Sequence, residues 1–308
     1  VARWRAWFAF VFLGVLAWGT SFLWIKVALI EIGPFTMVMY RFLFGVATAW
    51  ILVRASRTRL RLRGKLLAAT LALGIVNTAI PITLISWAEI HIESGLASLL
   101  NSTMPLWTIV IAHFFLHDDR LTVAKALGLV TGFAGVIVLI SRDLGPHGLE
   151  GSLWGQLAVI AAAGCYACCT VFTARVLKGQ HPLHTAAVSL SSATVAWLIV
   201  APAVEGFTLP RLPLTWLACV WMGVIGLALA YYAYFYLVNT WGATRSSLVT
   251  YVIPVSAVTL GIVFLGERPS WHVFAGGALI IAGIALVNRP KREAVPGRPM
   301  NDSGPVAG

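Results

Sequence analysis

Lys26 and Arg41 each stand inside a long apolar run. An ionisable side chain at membrane depth is costly and marks a functional candidate. Two such cations would attract the carboxylate of an amino acid or another organic anion. The structural alternative is snorkelling of both side chains to a headgroup layer, or pairing with Glu31. At comparable depth in their own runs fall Trp18, Thr20 and Ser21, then Asn77, then Asn101 and Ser102, and then Tyr166. Tyr231, Tyr232, Tyr234, Thr250 and Tyr251 complete the set. A polar group facing hydrocarbon would go unsatisfied, so these side chains should point into a bundle or a wet cavity. Each one alone is accounted for by a helix–helix hydrogen bond worth about 0.6 kcal/mol. As a set, aromatic rings with a few hydroxyls and amides suit a small, partly apolar ligand. Pro105 and Pro254 lie inside two of the runs, where each removes a helix hydrogen bond and frees a carbonyl. Both are candidate hinges, with a kink satisfied by neighbouring helices as the plainer reading.

Other chemistry has little support. There is no P-loop, no G-x-S-x-G and no H-E-x-x-H, so ATP-driven transport by this chain alone is unsupported. Cys165 and Cys168 form a C-x-x-C with no nearby His; with Cys169 and Cys219 they read as small apolar packing rather than zinc ligands. His113 lies one turn before His117 near the end of its run and reads as a hydrated structural residue, with a proton relay as the alternative. All eleven Asp and Glu fall at run ends, in connections or in the tail, which weakens exchange of protons at a mid-membrane carboxylate. No catalytic residue, metal or cofactor is expected, and the chain is not read as an enzyme.

The elements that must hold these residues follow from composition. Of 308 residues, 59% are apolar and only 11% charged, too few to cover a soluble surface. A bilayer core about 30 Å thick takes about 20 apolar residues as a helix. Ten such runs are found: Phe8 to Ile30, Phe35 to Val53, Leu66 to Ala88, Gly95 to Leu116, Val123 to Ile140, Leu153 to Ala174, Leu183 to Val204, Trp216 to Val238, Ala243 to Leu265 and Trp271 to Val287. They are apolar on every face, whereas barrel strands would alternate. The fold expected is therefore all-α, a polytopic bundle of ten transmembrane helices. With both termini cytoplasmic, 17 of the 22 Lys and Arg fall on the inside and three on the outside. The net charge of +11 is thus topology rather than nucleic-acid binding, even for the basic run from Arg54 to Lys65. No cleavable signal peptide is evident, and a tail over 291–308 reads as disordered.

An internal repeat is also visible. Ser98-Leu99-Leu100-Asn101-Ser102-Thr103-Met104-Pro105 matches Ser247-Leu248-Val249-Thr250-Tyr251-Val252-Ile253-Pro254. Asp119-Arg120 matches Glu267-Arg268, and Pro34-Phe35 matches Pro182-Leu183. Trp18 then pairs with Tyr166, and Asn101 with Thr250. The halves are 1–150 and 151–290, five runs each. An odd number inverts the second half relative to the first, the arrangement of many secondary transporters that alternate access to a site between halves. Gly128, Gly132 and Gly135 in the fifth run, with Gly276, Gly277 and Gly283 in the tenth, give close-packing faces that serve either the two halves or a dimer seam.

These stretches resemble a ten-span EamA-type permease of the drug/metabolite transporter superfamily. The resemblance is carried by Trp18-Gly19-Thr20-Ser21-Phe22 with Lys26, Pro34-Phe35-Thr36 with Arg41-Phe42, and Ser94-Gly95-Leu96-Ala97-Ser98-Leu99-Leu100 to Pro105. Gly132-Phe133-Ala134-Gly135-Val136, Ser246-Ser247-Leu248 to Pro254, and Leu265-Gly266-Glu267-Arg268 add to it. It covers about residues 5 to 290. His117-Asp118-Asp119-Arg120 departs from the family's Gly-Glu-Arg turn by one extra residue. The resemblance implies a secondary transporter in a lipid bilayer, in a bacterial inner membrane, acting on a small-molecule substrate. Amino acids or related compounds moved outward are the favoured substrates; other anionic metabolites, nucleotide sugars and drugs stay open. So do a coupling proton and a monomeric or homodimeric state. A membrane enzyme or lipid-handling protein would need a catalytic set at an interface, and none is found.

Overall fold

The computed structural model describes residues 2–58, 60, 62–115, 122–141, 152–177, 179–241, 246 and 248–288. The turn at His117 to Arg120, Arg245, Ser247 and the tail over 291–308 lie outside the described residues. No strand occurs among the described residues. Eight helices are long and apolar enough to cross a membrane: α1 Trp4–Leu29, α2 Pro34–Ala55, α3 Gly64–His91, α4 Ser94–Phe115, α5 Val123–Ser141, α6 Ser152–Thr173, α7 Pro182–Glu205 and α8 Pro213–Tyr234. Two shorter apolar helices follow, α9 Val249–Leu265 and α10 Trp271–Val287. Large apolar side chains cover the outside of the bundle: Val130 is 70% exposed, Ile199 69% and Phe264 68%. Such a surface is unfavourable in water and suited to lipid. The chain is an integral membrane protein.

Apolar composition alone does not place these helices against one another. Polar contacts at one end of the bundle do much of that. The first N–H groups of a helix have no partner within it and carry the positive end of its dipole. Here those groups are capped by carboxylates from distant segments. Glu205, at the end of α7, accepts from Phe35 N at 3.0 Å and Thr36 N at 2.8 Å, at the start of α2. Glu267, just after α9, accepts from Ser94 N at 2.7 Å and Gly95 N at 3.2 Å, at the start of α4. Glu31, after α1, accepts from the backbone of Arg211 and Leu212 ahead of α8. The Thr215 hydroxyl and those two N–H groups hold the Glu31 carboxyl below the usual carboxylate range. That cap is therefore in place at neutral pH and is lost as pH falls through the lowered value. We refer to this face as the capped end. Truncating Glu205 to Ala is expected to cost about 1–2 kcal/mol, read as a lower Tm in detergent, with Gln losing less because it keeps an acceptor. An unchanged Tm in the Ala variant would show that the cap contributes nothing.

Three helices are underwound at mid-length by turns closed over five residues instead of four. They are π-helical at Phe12–Ala17 in α1, Gly74–Ala79 in α3 and Trp221–Leu229 in α8. Trp18 N donates to Leu13 O and Thr20 N to Val15 O, both at 3.0 Å. Ile80 N donates to Ile75 O, and Ala230 N to Ile225 O. Such turns are rare and concentrate at functional sites. α4 is interrupted differently. Pro105 has no N–H to give to Asn101, and the helix unwinds at Ser102 and Thr103 before resuming at Met104. Pro254, its match in the repeat, is buried within the continuous helix α9.

The glycine faces of the fifth and tenth runs meet within one chain. A Cβ on Gly135 would lie 2.6 Å from Gly276 O, and one on Gly283 would lie 2.6 Å from Gly128 O. α5 and α10 therefore pack backbone to backbone, which only small residues permit.

Candidate functional site

The three π-helical turns and the unwound turn of α4 converge on a cavity of about 230 Å³. Its wall contains Trp18 and Ser21 from α1, Arg41 from α2 and Asn77 from α3. Asn101, Ser102 and Pro105 come from α4, Tyr166 from α6, Tyr231 from α8 and Thr250 from α9. Phe22, Ile25, Ile82, Ile85, Leu227 and Ile253 supply apolar surface. Pockets for drug-sized ligands run from about 300 Å³ upward, so this one suits a smaller solute.

Arg41 is the charge on that wall. It is 6% exposed, which disfavours the structural alternative of snorkelling to a headgroup layer. Nor does Glu31 pair with it, because Glu31 is taken by the α8 cap. The Arg41 Nε is buried with no hydrogen-bond partner. Its Nη1 makes only a long contact of 3.8 Å to the Met222 sulfur, a weak acceptor. Of the ionisable groups near it, Glu89 is the acid, while the Tyr166 and Tyr231 hydroxyls and the Cys219 thiol carry no charge near neutral pH. A guanidinium carries five donors in a planar fork matched to a carboxylate. Held out of bulk water with so few acceptors, this one keeps donors free of protein partners. The Asn101 Oδ1 is a second buried polar atom without a partner.

Other polar residues expected near the site are used elsewhere. The Thr20 hydroxyl donates to Leu16 O and accepts from Trp221 Nε1 at 3.0 Å, tying α1 to α8. The Tyr251 hydroxyl accepts from Asn288 Nδ2 at 3.1 Å, bracing α9 against the end of α10. Tyr234 packs its ring on Trp18 with centroids 5.7 Å apart. Tyr232 is 55% exposed. Lys26 is half-buried and lies outside the cavity wall. The apolar wall residues carry no signal that separates them from lipid-facing ones. Ser98 was findable, since it sits within the repeated stretch that ends at Pro105.

Cys165 is partly exposed and Cys168 exposed, while Cys169 and Cys219 are buried. No cluster of metal-binding type occurs among the described residues.

A helical membrane bundle with a cavity of this size between its helices has the build of a carrier for small molecules. The EamA-like transporter family matches residues 5–141 and again residues 153–289. The chain belongs to that family and is a membrane transporter of the drug/metabolite type. It is similar to a protein of Streptantibioticus cattleyicolor named "Probable terminal-alkyne amino-acid exporter", at 29% identity, covering 93% of this chain and 96% of that protein. It is also similar to the Escherichia coli K12 protein named "Uncharacterized inner membrane transporter YedA", at 27% identity over 92% of this chain and 91% of the relative. A crystal structure of a protein with 21% identity superposes with a TM-score of 0.65, over 93% of this chain and 96% of that one, and shows the same fold.

Proposed function

We propose that this transporter carries a small carboxylate-bearing metabolite, first an amino acid or close relative, by alternating access. The observation that carries the reading is Arg41, buried on the cavity wall with its Nε unpaired. In this reading the substrate carboxylate takes the Arg41 donors. The Tyr166 and Tyr231 rings and the apolar wall hold the side chain, and Asn77 and Asn101 offer hydrogen bonds. The direction is outward, as the name of the Streptantibioticus relative suggests. Nucleotide sugars, other organic anions and drugs are the remaining substrate classes.

The same reading has ten spans in two inverted halves, 1–150 and 151–290, with both termini cytoplasmic in a bacterial inner membrane. Two observations support it. The family matches begin at residues 5 and 153, an offset of 148. The π-helical turns of α3 and α8 begin at Gly74 and Trp221, close to that offset. Three carboxylate caps close one end, and charge-to-dipole contacts of this kind can be broken and remade in each cycle.

Thermal-shift screening of purified protein against a metabolite library tests the substrate class, because a ligand selective for the folded state raises Tm. Carboxylate-bearing compounds should stabilise the wild type and lose that effect in Arg41→Met. Hits with no carboxylate, or equal stabilisation of both proteins, would overturn it. Pro254→Ala is expected to lower turnover in proteoliposomes several-fold with little change in Tm, and a wild-type rate would refute the hinge role.

A further inference from the structure

We propose that Glu89 is a membrane-embedded proton-binding site, one helical turn from the cavity and linked to it through Arg41. Glu89 is the third residue from the end of α3, a position that suggests a solvated carboxylate. It is instead 1% exposed, and neither carboxylate oxygen has a hydrogen-bond partner. An ionised carboxylate buried without hydrogen bonds is strongly disfavoured, and binding a proton removes the charge.

Its surroundings form a layer between the cavity and the capped end. Ile85 lies one turn before Glu89 on the same face of α3 and lines the cavity. Lys26 follows the lining residue Ile25, and Ser94 lies one turn before the lining residue Ser98. The charges acting on Glu89 are Lys26 from α1, Glu267 from the α9–α10 connection and Arg41 from α2, acting through space rather than by hydrogen bonds. α4 contributes the Ser94 hydroxyl, also buried and unpartnered. α6 packs here through Gly155, whose Cβ would sit 3.1 Å from Ala88 O, and brings the buried Gln156 but no titratable side chain at this level. On α3 itself, His91 lies beyond, its ring 4.7 Å from that of Trp87, followed by Glu93. Glu267 is committed to the backbone of Ser94 and Gly95. Glu89 is therefore the carboxylate of this layer left to exchange a proton: its oxygen takes one from water and returns it, while Arg41 stays charged.

The link to the cavity rests on the transport reading above. Arg41 lines the cavity and acts on Glu89 through space. A substrate carboxylate that takes its donors leaves Glu89 with less counter-charge. Substrate and proton then favour each other's binding reciprocally, so both move in the same direction, and the outward transport proposed above requires a combined gradient that points outward.

The proton site is tested without any substrate. Infrared difference spectra of the lipid-reconstituted full chain, recorded along a pH titration, should show a protonated-carboxyl C=O band that disappears as pH rises. Glu89→Gln should abolish it and Glu205→Gln should keep it. Arg41→Gln and Lys26→Gln should each move the midpoint upward by about one pH unit or more, and Glu267→Gln should move it downward. A band that survives Glu89→Gln overturns the site. A midpoint unmoved in Arg41→Gln overturns the link. Failure of every metabolite to bind would overturn the transport reading alone and leave this result standing.

Discussion

Arg41→Ala is expected to weaken binding of a carboxylate ligand by roughly 30-fold to several thousand-fold. Removing one partner of a buried charge pair costs about 2–5 kcal/mol. The loss should appear in Kd and in transport together, and Arg41→Lys should restore little, because a point charge does not replace a planar fork. Stability should move the other way. The free protein holds this guanidinium buried with its Nε unpaired and its Nη1 on a thioether. Replacing an under-satisfied buried charge with an apolar side chain of similar volume is often neutral or stabilising. Arg41→Met should therefore match or exceed the wild-type Tm while failing to bind. A structural arginine gives the opposite pair of results. Unchanged transport of every anionic substrate would remove Arg41 from the site.

Gly135→Leu is expected to produce the largest loss of stability. The new Cβ would lie 2.6 Å from Gly276 O and 2.9 Å from Ile280 N. Backbone atoms cannot rotate away as a side chain can, so α5 and α10 must separate along their shared face. Overpacking ordinarily costs about 1–3 kcal/mol, and a forced helix separation belongs at the upper end or above it. Gly283→Leu should behave alike, since its Cβ would meet Gly128 O and Gly132 N, both at 2.6 Å. Gly164→Ala is the control: no atom outside its own helix lies within 4 Å of the added carbon. Tm by size-exclusion chromatography of heated samples reads all three. A Gly135→Leu protein as stable as the control would show that the two helices are not in contact in the membrane.

The helices were legible because a membrane-spanning helix is written in consecutive apolar residues: eight of the ten expected runs form helices long enough to cross a membrane, and the last two form shorter ones. α3 runs from Gly64 to His91, beyond the expected Leu66 to Ala88, because amphipathic ends extend past the hydrocarbon run. Polar residues of the cavity wall were legible for a similar reason, since each is an anomaly in an apolar run. Which anomalies face the cavity was not. Thr20 and Tyr251 look like Ser21 and Thr250 in sequence, and only the positions of Trp221 and Asn288 divert them. Glu89 falls at a run end, as expected, yet it is buried: distance from a helix end measures depth along the axis, whereas burial depends on what packs around it. The caps show the limit most clearly. Glu31, Glu205 and Glu267 are ordinary acids at helix ends until the N-terminus of a remote helix is brought against them.

The five-residue turns beside the cavity have a mechanical meaning. Each stores one extra residue in its helix. If that residue is passed along by a turn, the side chains it crosses rotate by about 100° while most backbone hydrogen bonds stay closed. Asn77 lies inside such a turn, and Gly226 and Leu227 lie inside another, all on the cavity wall. A wall built on stored slack can re-aim its groups like a ratchet advancing one tooth, with neither helix having to melt or leave the bilayer.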